Sequence, residues 1–294
     1  MASLVESSLV ENLNNLTVQD TKPIEFNSEE LAAFQSVKDG LLKKGIDSKQ
    51  VRDREVAVVT MLSKCRVEKA IEKYVQFIDT IGEFDINCDT LYSGFDVIEE
   101  KLRANYQVCG QDNGGRSIMW IGSSTPTEIS EEQITVHSGV LYWMAVHSDL
   151  HTLREGCTFV IDTSKQNGVP KVGNERKMQK TWQSLPLRPQ NLFIVGASFL
   201  KRIFINALIA FASIFSNSKV LARIRFVEMP EVRTEVSEKS MPEEYGGEHR
   251  QSVPDWVQTR LSTWNDFKIG VSVTEEETKK ISSTEDNGKD VITF

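Results

Sequence analysis

Hydrophobic residues recur at helical spacing along the first third of the chain. Asn27, with Glu30 three residues later, forms the capping pattern that precedes many helices. A second amphipathic segment follows a cap at Asp47 or Ser48, and a third covers residues 67–81. These patterns predict three short helices that pack together as a small N-terminal helical domain.

After residue 87 the pattern changes to short apolar runs separated by helical stretches. The runs are rich in β-branched and aromatic residues, which is typical of buried strands. Strands that alternate with helices predict an α/β fold in which helices cover a sheet. The predicted strands are residues 117–121, 157–161, 191–195 and 222–227.

The same patterns divide the chain into four parts. A polar stretch opens the chain and a charged tail closes it, so both ends are predicted to be mobile. One more helix, with Trp256, Leu261 and Trp264 available for packing, precedes the tail. The predicted parts are a flexible N-terminus at 1–26, a helical domain at 27–86, an α/β domain at 87–250, and a C-terminal helix with its polar tail at 251–294.

Charge is distributed unevenly along the chain. No Asp or Glu lies between Pro186 and Val227, and this window carries six cations, although the whole chain has a net charge of −8. At its centre, residues 203–215 form a nearly continuous apolar run, shorter than the roughly 20 residues that span a bilayer. Anionic lipid attracts each nearby Lys or Arg by about 1 kcal/mol. The window is therefore typical either of reversible contact with an anionic membrane or of a buried helix with solvated flanking cations.

Composition argues against several other classes of protein. With 39% hydrophobic residues and a pI near 5.2, the chain is typical of a folded acidic protein and not of one that binds nucleic acid. The cysteines, Cys65, Cys88, Cys109 and Cys157, form no CxxC pair and indicate reduced thiols. We therefore expect a cytoplasmic protein that needs no metal or other cofactor and associates transiently with membranes.

Four short motifs occur in order along residues 30–250. They are MLSKCRVEKA at 61–70, DNGGR at 112–116, EGCTFVID at 155–162 and MPEEYGG at 241–247. Each motif is weak alone, but in this order and with these separations they resemble the CRAL-TRIO family of Sec14-like lipid-binding proteins. The resemblance implies an N-terminal helical domain followed by an α/β lipid-binding domain, in which the sheet forms the floor of an apolar cavity.

In this family a mobile gate helix covers the cavity and swings open at the membrane. The apolar run of the basic window falls at the gate, so we expect it to close the cavity and to meet lipid when open. The gate side chains implied by the resemblance are Phe199, Leu200, Ile203, Phe204, Leu208, Phe211 and Phe215. The implied cavity lining, which could equally be ordinary core, is Trp120, Trp143, Phe159, Ile161, Phe193 and Val195.

Some members of the family read a phosphoinositide headgroup at the mouth of the cavity, and the alpha-tocopherol transfer protein type does so with basic residues. The matching positions here are Arg188, Lys219 and Arg223, and Lys64 is the one cation of the stretch 62–65. The alternative is a set of solvated cations. The resemblance therefore implies two partners, a hydrophobic lipid and an anionic, phosphoinositide-containing membrane.

One departure from the family pattern bears on the cargo. Phosphatidylinositol-binding members of the Sec14 type carry a Glu in the tetrapeptide YPER, and Leu187 stands at that position here. A cargo more apolar than phosphatidylinositol is therefore expected, and tocopherol, retinoid, carotenoid, sterol and phospholipid all stay open. The alternative function is a phosphatidylinositol-binding or phospholipid-binding sensor that performs no net transfer.

An enzyme is the rival class. His147, Asp149 and His151 lie on one predicted helical stretch, where histidines four residues apart can share a zinc ion, but no HExxH motif and no third ligand are evident. Ser198 follows Gly196 as in a nucleophile elbow, but the second glycine of that motif is replaced by Leu200. We expect a protein that is not an enzyme, and a lipid hydrolase is the weaker alternative.

Overall fold

A computed structural model of the chain describes residues 24–86, 98–122, 132–164, 184–196 and 222–270. Within those residues no helix combines the length and the apolar character needed to cross a membrane. The helices are α1 (Ser28–Lys43), α2 (Asp53–Leu62), α3 (Val67–Glu83), α4 (Glu99–Asn105), α5 (Glu132–Val146), α6 (Leu150–Glu155), α7 (Met229–Glu235) and α8 (Val253–Ser262). The strands are β1 (Tyr106–Gln107), β2 (Ile118–Ile121), β3 (Cys157–Asp162), β4 (Pro189–Val195) and β5 (Ile224–Val227).

The N-terminal helices form as the sequence predicts, with one correction. The Asn27 side chain accepts from the Glu30 backbone N–H, and the Glu30 carboxylate accepts from the Asn27 backbone N–H, so the predicted capping box is present. Asp47 caps only the 3-10 turn Ser48–Gln50, and the second helix begins later, at Asp53. The early start was wrong because a short local cap does not require a long helix after it.

The five strands form one sheet in the order β1-β2-β3-β4-β5. The short β1 pairs antiparallel with β2, and every other pairing in the sheet is parallel. Parallel strands require crossover connections, and the connection from β2 to β3 contains α5 and α6. The fold is therefore α/β with N-terminal helices, which confirms the predicted class.

Alternate residues of each strand lie on opposite faces of the sheet, and the register assigns them. The inner face packs against the large core formed with α1–α3, α5 and α8, and the outer face packs against residues 229–245. Inner-face residues are Tyr106, Met119, Ile121, Phe159, Ile161, Leu192, Ile194, Ile224 and Phe226. Outer-face residues include Ile118, Trp120, Val160, Asp162, Phe193, Val195, Arg225 and Val227.

Helix α8 joins the N-terminal helices to the α/β domain. Its Arg260 donates to Asp149 Oδ2 at 2.8 Å and to the Ala145 carbonyl at 3.1 Å. Just beyond α8, the buried ring of Trp264 lies beside Phe26, and its Nε1 donates to Ser148 Oγ at 3.1 Å. The end of the chain's described part is thereby built into the core.

Candidate lipid site and basic surface

The DNGGR motif is a closed turn held by Asp112. One carboxylate oxygen of Asp112 accepts from the backbone N–H groups of Gly114 (2.9 Å) and Arg116 (3.0 Å). The other accepts from the Arg116 side chain at 2.8 Å and from Thr158 Oγ1 at 2.5 Å. Because Thr158 belongs to β3, this turn ties β2 to its neighbouring strand, and the role of the motif is to position the sheet.

A second contact joins two of the motifs that suggested the family. Asp162, fully buried at the end of β3, accepts from the Tyr245 hydroxyl at 2.7 Å through one oxygen. Its other oxygen accepts from the backbone N–H and the hydroxyl of Ser164. Tyr245 also lies against Trp120, with ring centroids 4.4 Å apart. The motif at 241–247 therefore covers the outer face of the sheet.

Two of the predicted mouth cations lie together before β4 and β5. The Arg188 guanidinium donates to the Arg154 carbonyl, and Arg223 Nη1 donates to the Pro189 carbonyl at 2.9 Å. Burial and the nearby charge of Arg223 both lower the pKa of Arg188, although Glu155 opposes them. The structure thus brings these cations to the amino ends of neighbouring strands, while Lys219 lies outside the described residues.

A third arginine lies between these two cations and the N-terminal helices. Arg154, at the end of α6, donates from Nε and Nη2 to the two carboxylate oxygens of Glu30, at 2.7 and 2.8 Å. Cys65 is near enough for the charges of both partners to influence the pKa of its thiol. Lys64, the fourth predicted membrane contact, precedes Cys65 in an exposed left-handed turn after α2. We call Lys64, Arg154, Arg188 and Arg223 the basic surface.

The six predicted lining residues do not line one surface. Phe159 and Ile161 lie on the inner face, and Trp143 of α5 belongs to the same core. By contrast, Trp120, Phe193 and Val195 lie on the outer face, where they pack with Val232, Val236 and Met241. A cavity above one face cannot use residues from both, because alternation in a strand sends neighbouring side chains to opposite sides.

The inner face changes character across the sheet. Leu192 and Ile194 of β4 are 2% and 1% exposed. The next strand, β5, continues the same apolar row with Ile224, which is only partly buried, and Phe226, which is 45% exposed. The sheet therefore presents accessible apolar surface on the inner face of its β5 edge, beside the basic surface.

The predicted zinc residues have other partners. His147 Nδ1 contacts the Trp143 carbonyl at 2.8 Å, Asp149 is paired with Arg260, and His151 Nε2 contacts the Gly114 carbonyl at 2.9 Å. No cluster suited to a metal ion occurs among the residues that the structure describes. The gate side chains between Phe199 and Phe215, and Ser198 of the elbow-like sequence, lie outside the described residues.

Sequence reasoning missed two features of this region. Glu30 and Arg154 are 124 residues apart, so no local pattern could pair them. Phe226 was part of a predicted strand, but its face could not be assigned without the register to β4. The excess of cations in the window, together with the family resemblance, pointed to Arg188 and Arg223, and Arg154 lies outside that window.

Two comparisons with known proteins found similarities. The family model described as "CRAL/TRIO domain" matches residues 104–247. A solved structure titled "Crystal structure of Sfh5" aligns over 90% of this chain and 100% of its own, with 11% sequence identity and a TM-score of 0.41. No curated protein matches the chain.

Together, the α/β sheet, the N-terminal helices and the matched domain define a protein of the lipid-binding and lipid-transfer class. The chain carries a CRAL/TRIO domain at residues 104–247. Its nearness to the alpha-tocopherol transfer protein type stays a prediction.

Proposed function

We propose that the protein holds a hydrophobic lipid against the inner face of β4 and β5 and exchanges it at anionic, phosphoinositide-containing membranes. The observation that carries this proposal is the accessible apolar row of β5, with Phe226 45% exposed, next to the arginines before β4 and β5. The apolar row can contact the lipid, and the neighbouring arginines can contact an anionic membrane. A protein that exchanges a hydrophobic lipid at such a membrane needs both surfaces side by side.

The chain topology supports a lid on the same face. Strands β2 to β5 are parallel and follow one another across the sheet, and α5, which connects β2 to β3, packs in the core of the inner face. About 98% of such crossovers are right-handed, and right-handed crossovers that step in one direction lie on one face. We therefore propose that the gate acts on the inner face of the sheet, where β5 presents its accessible apolar row.

A lid at a membrane also has an energetic reason. Burial of each CH₂ group stabilises a bound lipid by about 0.8 kcal/mol, so a ligand with many such groups leaves into water very slowly. Exchange becomes fast where the exit is itself apolar, as it is at a bilayer. The proposed action is therefore binding and presentation without chemical turnover of the lipid.

Leu187 bears on the cargo within this proposal. It is 9% exposed and therefore buried, where phosphatidylinositol-binding relatives of the Sec14 type carry a glutamate. A buried apolar side chain offers no hydrogen bond to an inositol ring, which supports a cargo more apolar than phosphatidylinositol. A lipid sensor without net transfer is the alternative, and it predicts lipid binding with no movement between vesicles.

Phe226→Asp is expected to slow lipid transfer at least about tenfold, because an unpaired carboxylate on an apolar floor opposes burial of a lipid. The measurement is movement of fluorescent tocopherol and, separately, fluorescent phosphatidylcholine between donor and acceptor vesicles. Phe226→Leu is the matched control, since it keeps an apolar side chain, and it should stay within about twofold of wild type. If the Asp variant transfers lipid as fast as wild type, Phe226 does not contact the lipid. If wild type transfers neither probe, the result favours a lipid sensor without net transfer.

Replacing both Lys219 and Arg223 with alanine is expected to weaken binding to phosphoinositide-containing vesicles by roughly 2 kcal/mol, about 1 per cation. Co-sedimentation at low and high salt measures the effect, and high salt should mimic the variant because exposed charges are screened. Arg225→Ala is the matched control, because that cation lies on the outer face and is paired with Glu235. Wild-type binding that ignores both salt and phosphoinositide would contradict the membrane proposal.

A further inference from the structure

The ion pair between Glu30 and Arg154 joins the N-terminal helices to the α/β domain beside the basic surface. Glu30 lies in the first turn of α1, and Arg154 lies at the end of α6. The pair has the two-pronged geometry in which a guanidinium binds a carboxylate or a phosphate. Its Arg154 is also bonded through its carbonyl to Arg188. Glu155 and Glu29 are exposed anions near this surface, whereas Glu30 is the buried carboxylate that is paired directly with one of its arginines.

The two partners differ in their access to solvent. The Glu30 side chain is 9% exposed, and the Arg154 side chain is 40% exposed. The hydrogen bond from Arg154 lowers the pKa of Glu30, so this carboxylate is ionised at neutral pH. An external anion can thus approach Arg154, but the side of its guanidinium that faces α1 is already occupied.

We propose that Glu30 holds the place on Arg154 that a phosphate group of an anionic membrane lipid takes when the protein docks. This inference rests on the proposed membrane function and adds a regulatory step to it. Membrane binding exchanges an internal ion pair for a lipid one, and it releases the first turn of α1 from α6. The internal carboxylate weakens binding to surfaces of low charge, so that only densely charged membranes displace it.

A phosphate group can compete with the Glu30 carboxylate for Arg154 because it carries at least as much negative charge. A phosphate monoester presents more than one oxygen and up to two negative charges, whereas Glu30 presents one charge. Arg154 has five N–H donors in a fixed fork and can therefore accept a phosphate without losing its charge. A single zwitterionic headgroup offers no net charge with which to compete, so neutral vesicles are expected to leave the pair intact.

Cys65 provides a reporter for the release. Its thiol is partly buried near the pair, and burial first, then the charge of Glu30, raises its pKa. Cys109 and Cys157 are 3% and 0% exposed, and Cys88 can be replaced by serine. If α1 loosens on anionic vesicles, Cys65 should react with a maleimide several times faster, as measured by peptide mass spectrometry.

The decisive variant is Glu30→Gln, which removes the charge and keeps an acceptor for the capping contact. The expected result is about fivefold tighter binding to phosphatidylcholine vesicles that contain a small fraction of a phosphatidylinositol bisphosphate, whose ring phosphates are monoesters. That gain is what one freed cation provides. Glu29→Gln is the matched control, because Glu29 is an exposed carboxylate of the same helical turn. It should change binding less than about twofold, since an exposed charge is screened. In an Arg154→Gln background, Glu30→Gln should no longer have its extra effect.

Each outcome separates this inference from the function on which it rests. If wild type binds no anionic vesicle, the membrane proposal fails. If wild type binds but the two glutamine variants behave alike, and Cys65 reactivity does not change on vesicles, only the exchange is wrong. Vesicles with phosphoinositide should act at a lower headgroup concentration than soluble inositol trisphosphate; equal potency would contradict a lipid surface as the ligand. Thermal unfolding of each variant verifies that binding is measured on folded protein.

Discussion

Trp264→Ala is expected to lower the free energy of unfolding by about 3–5 kcal/mol, the range for loss of a buried Trp or Phe side chain. The indole lies 2% exposed between the two domains, with its ring centroid 5.3 Å from that of Phe267 and 6.3 Å from that of Phe26. Its removal leaves a cavity and takes away the hydrogen bond from Nε1 to Ser148 Oγ, which keeps only its own bond to the Met144 carbonyl. Urea unfolding followed by circular dichroism is the measurement.

Two controls separate the contributions. Trp264→Phe keeps most of the packing and loses the hydrogen bond to Ser148, so it should cost roughly 1–2 kcal/mol. Leu42→Ala removes an apolar side chain that is 41% exposed, and it should cost far less than Trp264→Ala. A loss below about 1 kcal/mol for Trp264→Ala would mean that the segment after α8 is not part of the folded core.

The protein is expected to lose about 3 kcal/mol of stability through His147 alone as the pH falls from 6.5 to 4. His147 is fully buried, and burial lowers its pKa from 6.5 to about 4 despite the bond to the Trp143 carbonyl. Well above pH 6.5 the imidazole is neutral in both the folded and the unfolded state, and pH has no effect through it. As the pH falls from about 6.5 to about 4, the imidazole of the unfolded chain binds a proton while that of the folded protein stays neutral. The free energy of unfolding therefore decreases as the pH falls.

The measurement is urea unfolding at pH 7, 5.5 and 4.5 for wild type and for His147→Gln, which cannot titrate. The variant should be less stable at pH 7, because its fit in the core is altered, but it should lack this part of the pH dependence. His151→Gln is the matched control, since that histidine is exposed four residues away. Identical pH slopes for wild type and His147→Gln would contradict the assignment.

The sequence predicted those features that depend on neighbours in the chain. The capping box at Asn27, the third helix from Val67 and all four longer strands follow from local spacing, and the structure has them with small shifts in their ends. The spacing of residues 130–154 predicts one helical stretch, but the structure interrupts it between Val146 and Leu150, because Asp149 caps a new helix. The helix Met229–Glu235 and the short strand Tyr106–Gln107 were missed, because each is too short to show a period.

The candidate site was predicted only where a residue's role depends on its own segment. Arg188 and Arg223 are two of the six cations of the charged window, and the family resemblance assigned them to the mouth of the cavity. The predicted lining combined residues from both faces of the sheet. Strands with apolar residues on both faces, such as Ile118–Ile121 and Leu192–Val195, show no alternation of polar and apolar residues that would assign the faces. Only the pairing of β4 with β5 shows that Phe226 and Ile194 share a face. The Glu30–Arg154 pair depends on tertiary packing alone.

The contact of Phe26 with Trp264 and Phe267 has a consequence for synthesis of the chain. The first aromatic ring of this cluster leaves the ribosome more than two hundred residues before its partners. At a typical 5–20 residues per second, α1 therefore waits on the order of ten seconds or more without the rings that cover it. During that interval α1 has only α2 and α3 to pack against, and the Phe26 and Phe34 rings lack their contacts with Phe267. The joint between the N-terminal helices and the α/β domain is therefore completed only after translation has passed Phe267.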